Sequence, residues 1–196
     1  MNHRHLAIII SVLSSFSLCS SVSAQTNDKP NVLSSLKSLQ WRAIGPAIMG
    51  GRIDEFAVVE SRPGTMYVAT ASGGVLKSLN FGTTWTSVFD SQPNLSIGAI
   101  NVDPVNPDTV WVGTGEANNR QSSSWGEGVF KSTDGGRTWK NVGLEKTMAI
   151  NRIQIDPNHP DTIYVAALGN LWGPNPDRGV FKTTDGGSTW TKCLFI

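Results

Sequence analysis

The sequence predicts an all-β fold, a β-propeller of four-stranded antiparallel blades with three blades present, on three observations. An octapeptide recurs: STDGGRTW at 132–139, TTDGGSTW at 183–190 and a looser SLNFGTTW at 78–85. The same frame surrounds each copy, over 53–90, 97–144 and 150–196. Seven Trp and 20 Gly accompany almost no helix-period pattern, which is the composition of short strands and tight turns.

Each unit parses into four strands. Strand A alternates (Ala57 and Val59; Ile100 and Val102; Ile153 and Ile155), as burial of one face at a period of two requires. A Pro-rich turn, DPVNPD or DPNHPD, leads to strand B, which reads TMYVAT, TVWVGT or TIYVAA. Strand C is GVLK or GVFK. The octapeptide is then the hairpin turn from C to D. Asp134 and Asp185 accept from turn amides, Asn80 keeps the acceptor without the charge, and Gly82, Gly136 and Gly187 supply positive φ. Trp85, Trp139 and Trp190 open strand D and plug the seam beside it.

The first 24 residues have another purpose. Arg4 and two histidines precede the apolar run LAIIISVLSSFSL, and SSVSA offers a cut after Ala24. This is the pattern of a secretory signal, too short for a membrane span. The expected product is exported, periplasmic or extracellular, with a linker at 25–40 and a partial propeller at 41–196. Removing one Arg from 16 Lys+Arg leaves 15 against 15 Asp+Glu. A neutral chain has no electrostatic reason to seek nucleic acid or to insert in a membrane. Cys193 is then the lone thiol, so no internal disulfide forms.

The octapeptide pattern S/T-x-D-x-G-x-T-W resembles the Asp-box, or BNR repeat, of sialidases, xyloglucanases, sortilin-type receptors and a plant photosystem assembly factor. The longer frame WRAIGPAIMGGR, GTGEANNR, GVFKSTDGG and YVAALGNLWGPN resembles bacterial exported proteins of the sortilin N-terminal type, often labelled glycosyl hydrolase. The resemblance implies that the turns are structural and lie on the rim away from ligand. It implies a module that binds protein or peptide, or acts as a scaffold. The alternative is a carbohydrate-active enzyme, a glycoside-hydrolase-like propeller whose acids lie partly in further blades. Three blades do not close a circle, so the remaining blades of a longer chain are expected as partners.

Function is expected on the face carrying the B–C and D–A connections, where the units differ in length. Blade 1 joins B to C through ASGG, blade 2 inserts 116–127, and blade 3 inserts 169–178. The candidate ligand residues are Arg52, Glu116, Asn118, Asn119, Arg120, Trp125, Trp172, Asp177 and Arg178, suited to a glycan or an extended peptide. The bland alternatives stay open beside them. Trp125 and Trp172 equally well cover gaps between blades, Glu116 and Arg120 pair to brace a loop, and Arg52 pairs a neighbouring acid. His159 sits in the DPNHPD turn, which removes a Ser-His-Asp triad and a His-rich metal site; no cofactor is expected.

A glycosidase needs two carboxylates about one bond. Asp54, Glu55, Glu116, Glu127 and Asp177 are the credible face or channel acids. Xyloglucanases carry an Asp just before the Gly-Gly that opens strand C of an early blade; here Ala71 and Ser72 stand near that place. Sialidases carry an arginine triad, a Tyr nucleophile and an Arg-Ile-Pro motif, whereas Tyr67 and Tyr164 lie within strand B.

Overall fold

A computed structural model describes residues 51–195. The expected leader and linker, 1–40, lie outside the described residues, as does the start of the propeller at 41–50.

Among the described residues, twelve strands form three four-stranded antiparallel sheets, each in consecutive order. Blade 1 holds β1 (Ile53–Val58), β2 (Met66–Thr70), β3 (Val75–Ser78) and β4 (Thr86–Ser87). Blade 2 holds β5 (Ile97–Val102), β6 (Val110–Thr114), β7 (Val129–Ser132) and β8 (Lys140–Asn141). Blade 3 holds β9 (Ile150–Ile155), β10 (Ile163–Ala167), β11 (Gly179–Thr183) and β12 (Thr191–Phe195). The innermost strands β1, β5 and β9 adjoin in turn, so the blades stack face to face. Strand D begins at Thr86, Lys140 and Thr191, one residue later than the sequence suggests. The Trp before it closes the turn and does not enter the ladder.

Alternation along each strand sends one set of apolar residues to each neighbour. Ala57, Tyr67, Val75, Ile100, Val112 and Phe130 form the core between blades 1 and 2. Trp111, Val129, Ile153, Ile163 and Val165 form the core between blades 2 and 3. Strand β6 is buried along its whole length because blade 2 is covered on both faces. Phe89 joins the blades from the D–A link, edge-on to Phe130 at 5.4 Å and to Trp139 at 5.0 Å.

The octapeptide turns are closed by side chains. Ser132 Oγ donates to Asp134 Oδ1 at 2.8 Å and accepts from the Gly136 amide at 2.8 Å. Asp134 Oδ1 accepts the amides of Arg137 and Thr138, each at 2.9 Å, and Oδ2 accepts the Thr138 hydroxyl at 2.7 Å. Thr183 and Asp185 repeat this net, and Asn80 Oδ1 still accepts the Thr84 amide at 2.9 Å. The Thr138 hydroxyl holds the Asp134 carboxyl far below the usual range, and that of Thr183 does the same for Asp185. A lowered carboxyl stabilises the fold above its unfolded value of 3.8 and loses that contribution as pH falls below it.

The seams are closed by Trp139, whose Nε1 donates to the Val88 carbonyl of blade 1 at 2.7 Å, and by Trp190, which donates to Val142 of blade 2 at 2.7 Å. Trp85 is 38% exposed, with no described blade preceding it.

Candidate functional site

The A–B and C–D turns of each blade meet on one face, where Gly135 donates to the Asp108 carbonyl at 2.8 Å and Gly186 to Asp161 at 3.0 Å. The B–C loops and D–A links gather on the other. The link from blade 2 to blade 3 passes through a 3-10 turn, Glu145–Thr147, between left-handed Leu144 and Met148, whose φ is 57°. Both B–C insertions hang from its end. The Gly126 amide donates to Met148 O at 2.6 Å, and the Leu168 amide donates to Ala149 O at 2.8 Å. Consecutive carbonyls of one segment therefore fix the bases of both loops.

The backbone of Trp125 is held further by Asn94 Nδ2, which donates to its carbonyl at 2.5 Å, while the side chain is 52% exposed. Trp172 is 59% exposed, its amide donating to Asn170 Oδ1 at 3.0 Å. Trp111, which fills the gap between blades 2 and 3, is by contrast 1% exposed. The Arg178 fork is occupied within its own loop, Nε donating to Leu168 O at 2.8 Å and Nη2 to Asn170 O at 3.0 Å. Asp177 is half-buried and its amide donates to Asn175 Oδ1 at 2.8 Å. Asn119 and Arg120 are exposed, and the Arg120 amide is turned toward Ser123 Oγ at 2.9 Å.

Glu116 pairs with Arg52, not with Arg120 as the loop-bracing alternative has it. The loop turns back at Ser123, whose hydroxyl donates to Asn118 O at 2.5 Å, and this carries Arg120 away into solvent. Glu116 is 1% exposed and points into the joint with blade 1, its amide on Ser96 Oγ at 3.0 Å. It is a structural acid at the rim rather than an exposed ligand.

Near this ion pair lies a polar hollow of about 190 Å³ lined by Asp54, Glu55, Gly98, Asn118, Asn151 and Arg152. Asn118 Nδ2 donates to Asp54 Oδ1 at 3.2 Å. Glu55 is fixed by the Ile100 amide on Oε2 at 2.9 Å and by Arg152 Nη1 on Oε1 at 2.5 Å. Asp54 Oδ2 and Arg52 Nε are buried and hydrogen-bonded to no described residue. Burial, then the charge of Glu116, raises the Asp54 carboxyl; burial raises Glu55 despite the Ile100 amide and Arg152. Sequence reasoning missed Asn151 and Arg152. The signal for Arg152 was the alternation of INRIQI, which puts Arg152 and Gln154 on the face opposite Ile153 and Ile155; Asn151 breaks that alternation and carried no such signal.

The raised Asp54 carboxyl sets a pH dependence. Its contribution to stability is full below the unfolded value of 3.8 and is lost as pH rises through the raised folded value. Asp54→Asn, which mimics the protonated form, is expected to raise the melting temperature at pH 7 by about 1 °C, a small effect in a site open to water. Below pH 3 the two proteins should melt alike; a gap that persists there contradicts this assignment.

A larger cleft of about 320 Å³ opens on the opposite face, among Val59, Asn101, Pro104, Gln154 and Pro157. Its Asp103 carboxylate is occupied by the Val105 and Asn106 amides at 2.8 and 3.0 Å. His159 lies exposed in its turn, Nδ1 3.4 Å from Asp156 Oδ2. Ala71, two residues before the Gly-Gly, is buried.

No family model matches the chain. A curated xyloglucanase from Paenibacillus sp is 25% identical over 165 residues, covering 78% of this chain and 15% of that protein. The solved GH74 enzyme of Niastella koreensis aligns with a TM-score of 0.53 at 27% identity, over 71% of this chain and 22% of that one. YCF48 bound to D1 peptide aligns with a TM-score of 0.50 at 13% identity, over 71% of this chain and 39% of that one, and shares the fold alone. The chain thus spans less than a quarter of the length of the xyloglucanase-type relatives. The xyloglucanase likenesses stand nearer to the carbohydrate-active alternative than to the sortilin-like binding module. No helix among the described residues is long and apolar enough to cross a membrane.

Proposed function

We propose that this chain builds part of an exported, glycan-acting propeller, and that the face carrying loops 116–127 and 169–178 receives a glycan of the xyloglucan class. The observation that carries the reading is the pair of half-exposed indoles, Trp125 and Trp172, on loops fixed to consecutive carbonyls. Sugar rings offer flat C–H faces to such indoles, while hydroxyls need acceptors and donors to fix register. Asp54, Asn118, Asn151 and Arg152 supply these in the adjacent hollow. The xyloglucanase names among the relatives support the same class of ligand. With Ala71 and Ser72 where xyloglucanases carry an acid, the described residues bind and orient, and hydrolysis is not assigned to them.

Affinity electrophoresis in xyloglucan gels tests this. Trp125→Ala and Trp172→Ala should each weaken binding about 10-fold, the loss of about 1.4 kcal/mol of stacking and apolar area. Stability should change by no more than about 0.5 kcal/mol, as for exposed positions. Unchanged affinity in both variants, with lowered melting points, would return the two indoles to a structural role.

A further inference from the structure

Two links join the described blades, and they carry the same pair of bonds. In the first, over 88–96, the Gly74 amide donates to Leu95 O at 2.8 Å and the Gly115 amide to Ser96 O at 2.7 Å. In the second, over 142–149, the Gly126 amide donates to Met148 O at 2.6 Å and the Leu168 amide to Ala149 O at 2.8 Å. Each link thus ties the far end of one B–C connection, and the near end of the next, to consecutive carbonyls. Both begin at the valine that accepts the seam indole, Val88 or Val142. Their lengths differ. Leu95 is the seventh residue after Val88, whereas Met148 is the sixth after Val142.

The shorter link is strained where it makes up the difference. No residue of 88–96 has positive φ, whereas Met148 holds φ 57° and ψ −42°. Across it the Ala149 amide donates back to Thr147 O at 2.5 Å. This is a γ-turn of the rare, strained hand, which L side chains avoid. Its neighbours hold it in place: the Thr147 hydroxyl donates to Leu144 O at 2.7 Å, and Ala149 is 1% exposed. The carbonyls have no room to turn. A Cβ on Gly115 would stand 1.9 Å from Met148 O, and one on Gly98 would stand 2.3 Å from Ile150 O. The joining of blades does not call for this strain, since the first link makes both bonds without it. What differs is the load. The first link bears the short ASGG connection and the start of loop 116–127, while the second bears the end of that loop and the start of loop 169–178.

We propose that the link 142–149 is a taut strap whose γ-turn at Met148 locks loops 116–127 and 169–178 in one mutual placement, so that a ligand must fit Trp125 and Trp172 together. The clause about the ligand rests on the glycan reading of this face. A link with a residue to spare lets each loop base settle separately. One residue shorter, the link fixes both bases, and the stacked blades hold the strain. The turn is a positioning element: it touches no ligand and acts through the two carbonyls from which the loops hang.

Inserting one Gly between the exposed Glu145 and Lys146 gives the second link the length of the first. Spin labels on Ser122→Cys and Pro174→Cys, both exposed positions, read the spacing of the two loops in a chain that also carries Cys19→Ser and Cys193→Ser. The parent link should give one narrow distribution of distances, and the lengthened link a broad one. In affinity electrophoresis the lengthened chain should hold xyloglucan about 10-fold more weakly, the loss of one indole contact, and adding Trp172→Ala should weaken it no further. A broad distribution in the parent, or a narrow one in the lengthened chain, overturns the strap. Affinity that survives a broadened spacing overturns the need for both indoles together. If the lengthened chain does not fold, Met148→Gly decides by its melting temperature. Glycine takes φ 57° freely, so relief of strain should raise it, and an unchanged or lower value overturns the proposal. A parent chain that ignores xyloglucan sinks the glycan reading alone, because the spacing measurement needs no ligand.

Discussion

Trp139→Ala is expected to cost about 3–5 kcal/mol of folding stability, toward the lower end because the indole is half-buried. The loss has three parts. The ring packs edge-on to Phe89 at 5.0 Å, its Nε1 bond to Val88 O ties blade 2 to blade 1, and its six-membered edge lies against Gly136. Removing it leaves Val88 O without its donor and opens a cavity that the sheets on either side are too rigid to close. Urea midpoints measure the effect, and Trp85→Ala is the control. Trp85 occupies the same place in its turn, yet it is 38% exposed, so its loss should cost no more than about 1.5 kcal/mol. Equal costs at the two positions would show that the turn, and not the seam, depends on the indole.

Glu116→Ala is expected to cost about 2–4 kcal/mol. Removing one partner of a fully buried ion pair costs about 3–5 kcal/mol, and the side chain of Arg52 is 33% exposed, which lets water recover part of that. Arg52 Nε already lacks a described acceptor, so loss of the carboxylate strands the guanidinium at the joint between blades 1 and 2. Glu116→Gln should cost less, since it keeps an oxygen for Arg52. A double-mutant cycle with Arg52→Ala isolates the pair. Strict additivity of the two single changes would mean that Glu116 acts through packing alone.

The blade plan was legible because two local signals carry it: alternation at a period of two, and the octapeptide whose Ser or Thr, Asp and Gly close a turn by bonds spanning no more than four residues. The site was legible only as a face. Insertions marked the loops, but loop 116–127 has no periodicity, and nothing near Glu116 in the chain says that its partner lies 64 residues away. The same limit applies to Arg178. Its charge suggested a ligand fork, and its two bonds to Leu168 O and Asn170 O depend on how Gly169, held at φ 65°, turns the loop on itself. Trp85 depends on more than its turn. A turn sequence specifies an indole's exit direction, whereas burial requires a neighbouring sheet to receive it.

Loop 116–127 of the proposed glycan face hangs from a stiff mount. Blade 2 has both faces covered by described blades, and β6, which leads into the loop, is buried throughout. An element packed on both sides opens seldom, because each neighbour must give way first. Trp125 is therefore a fixed anvil. A chain with substituents of uneven size along its backbone meets it as one rigid contact, so discrimination by shape resides at Trp125.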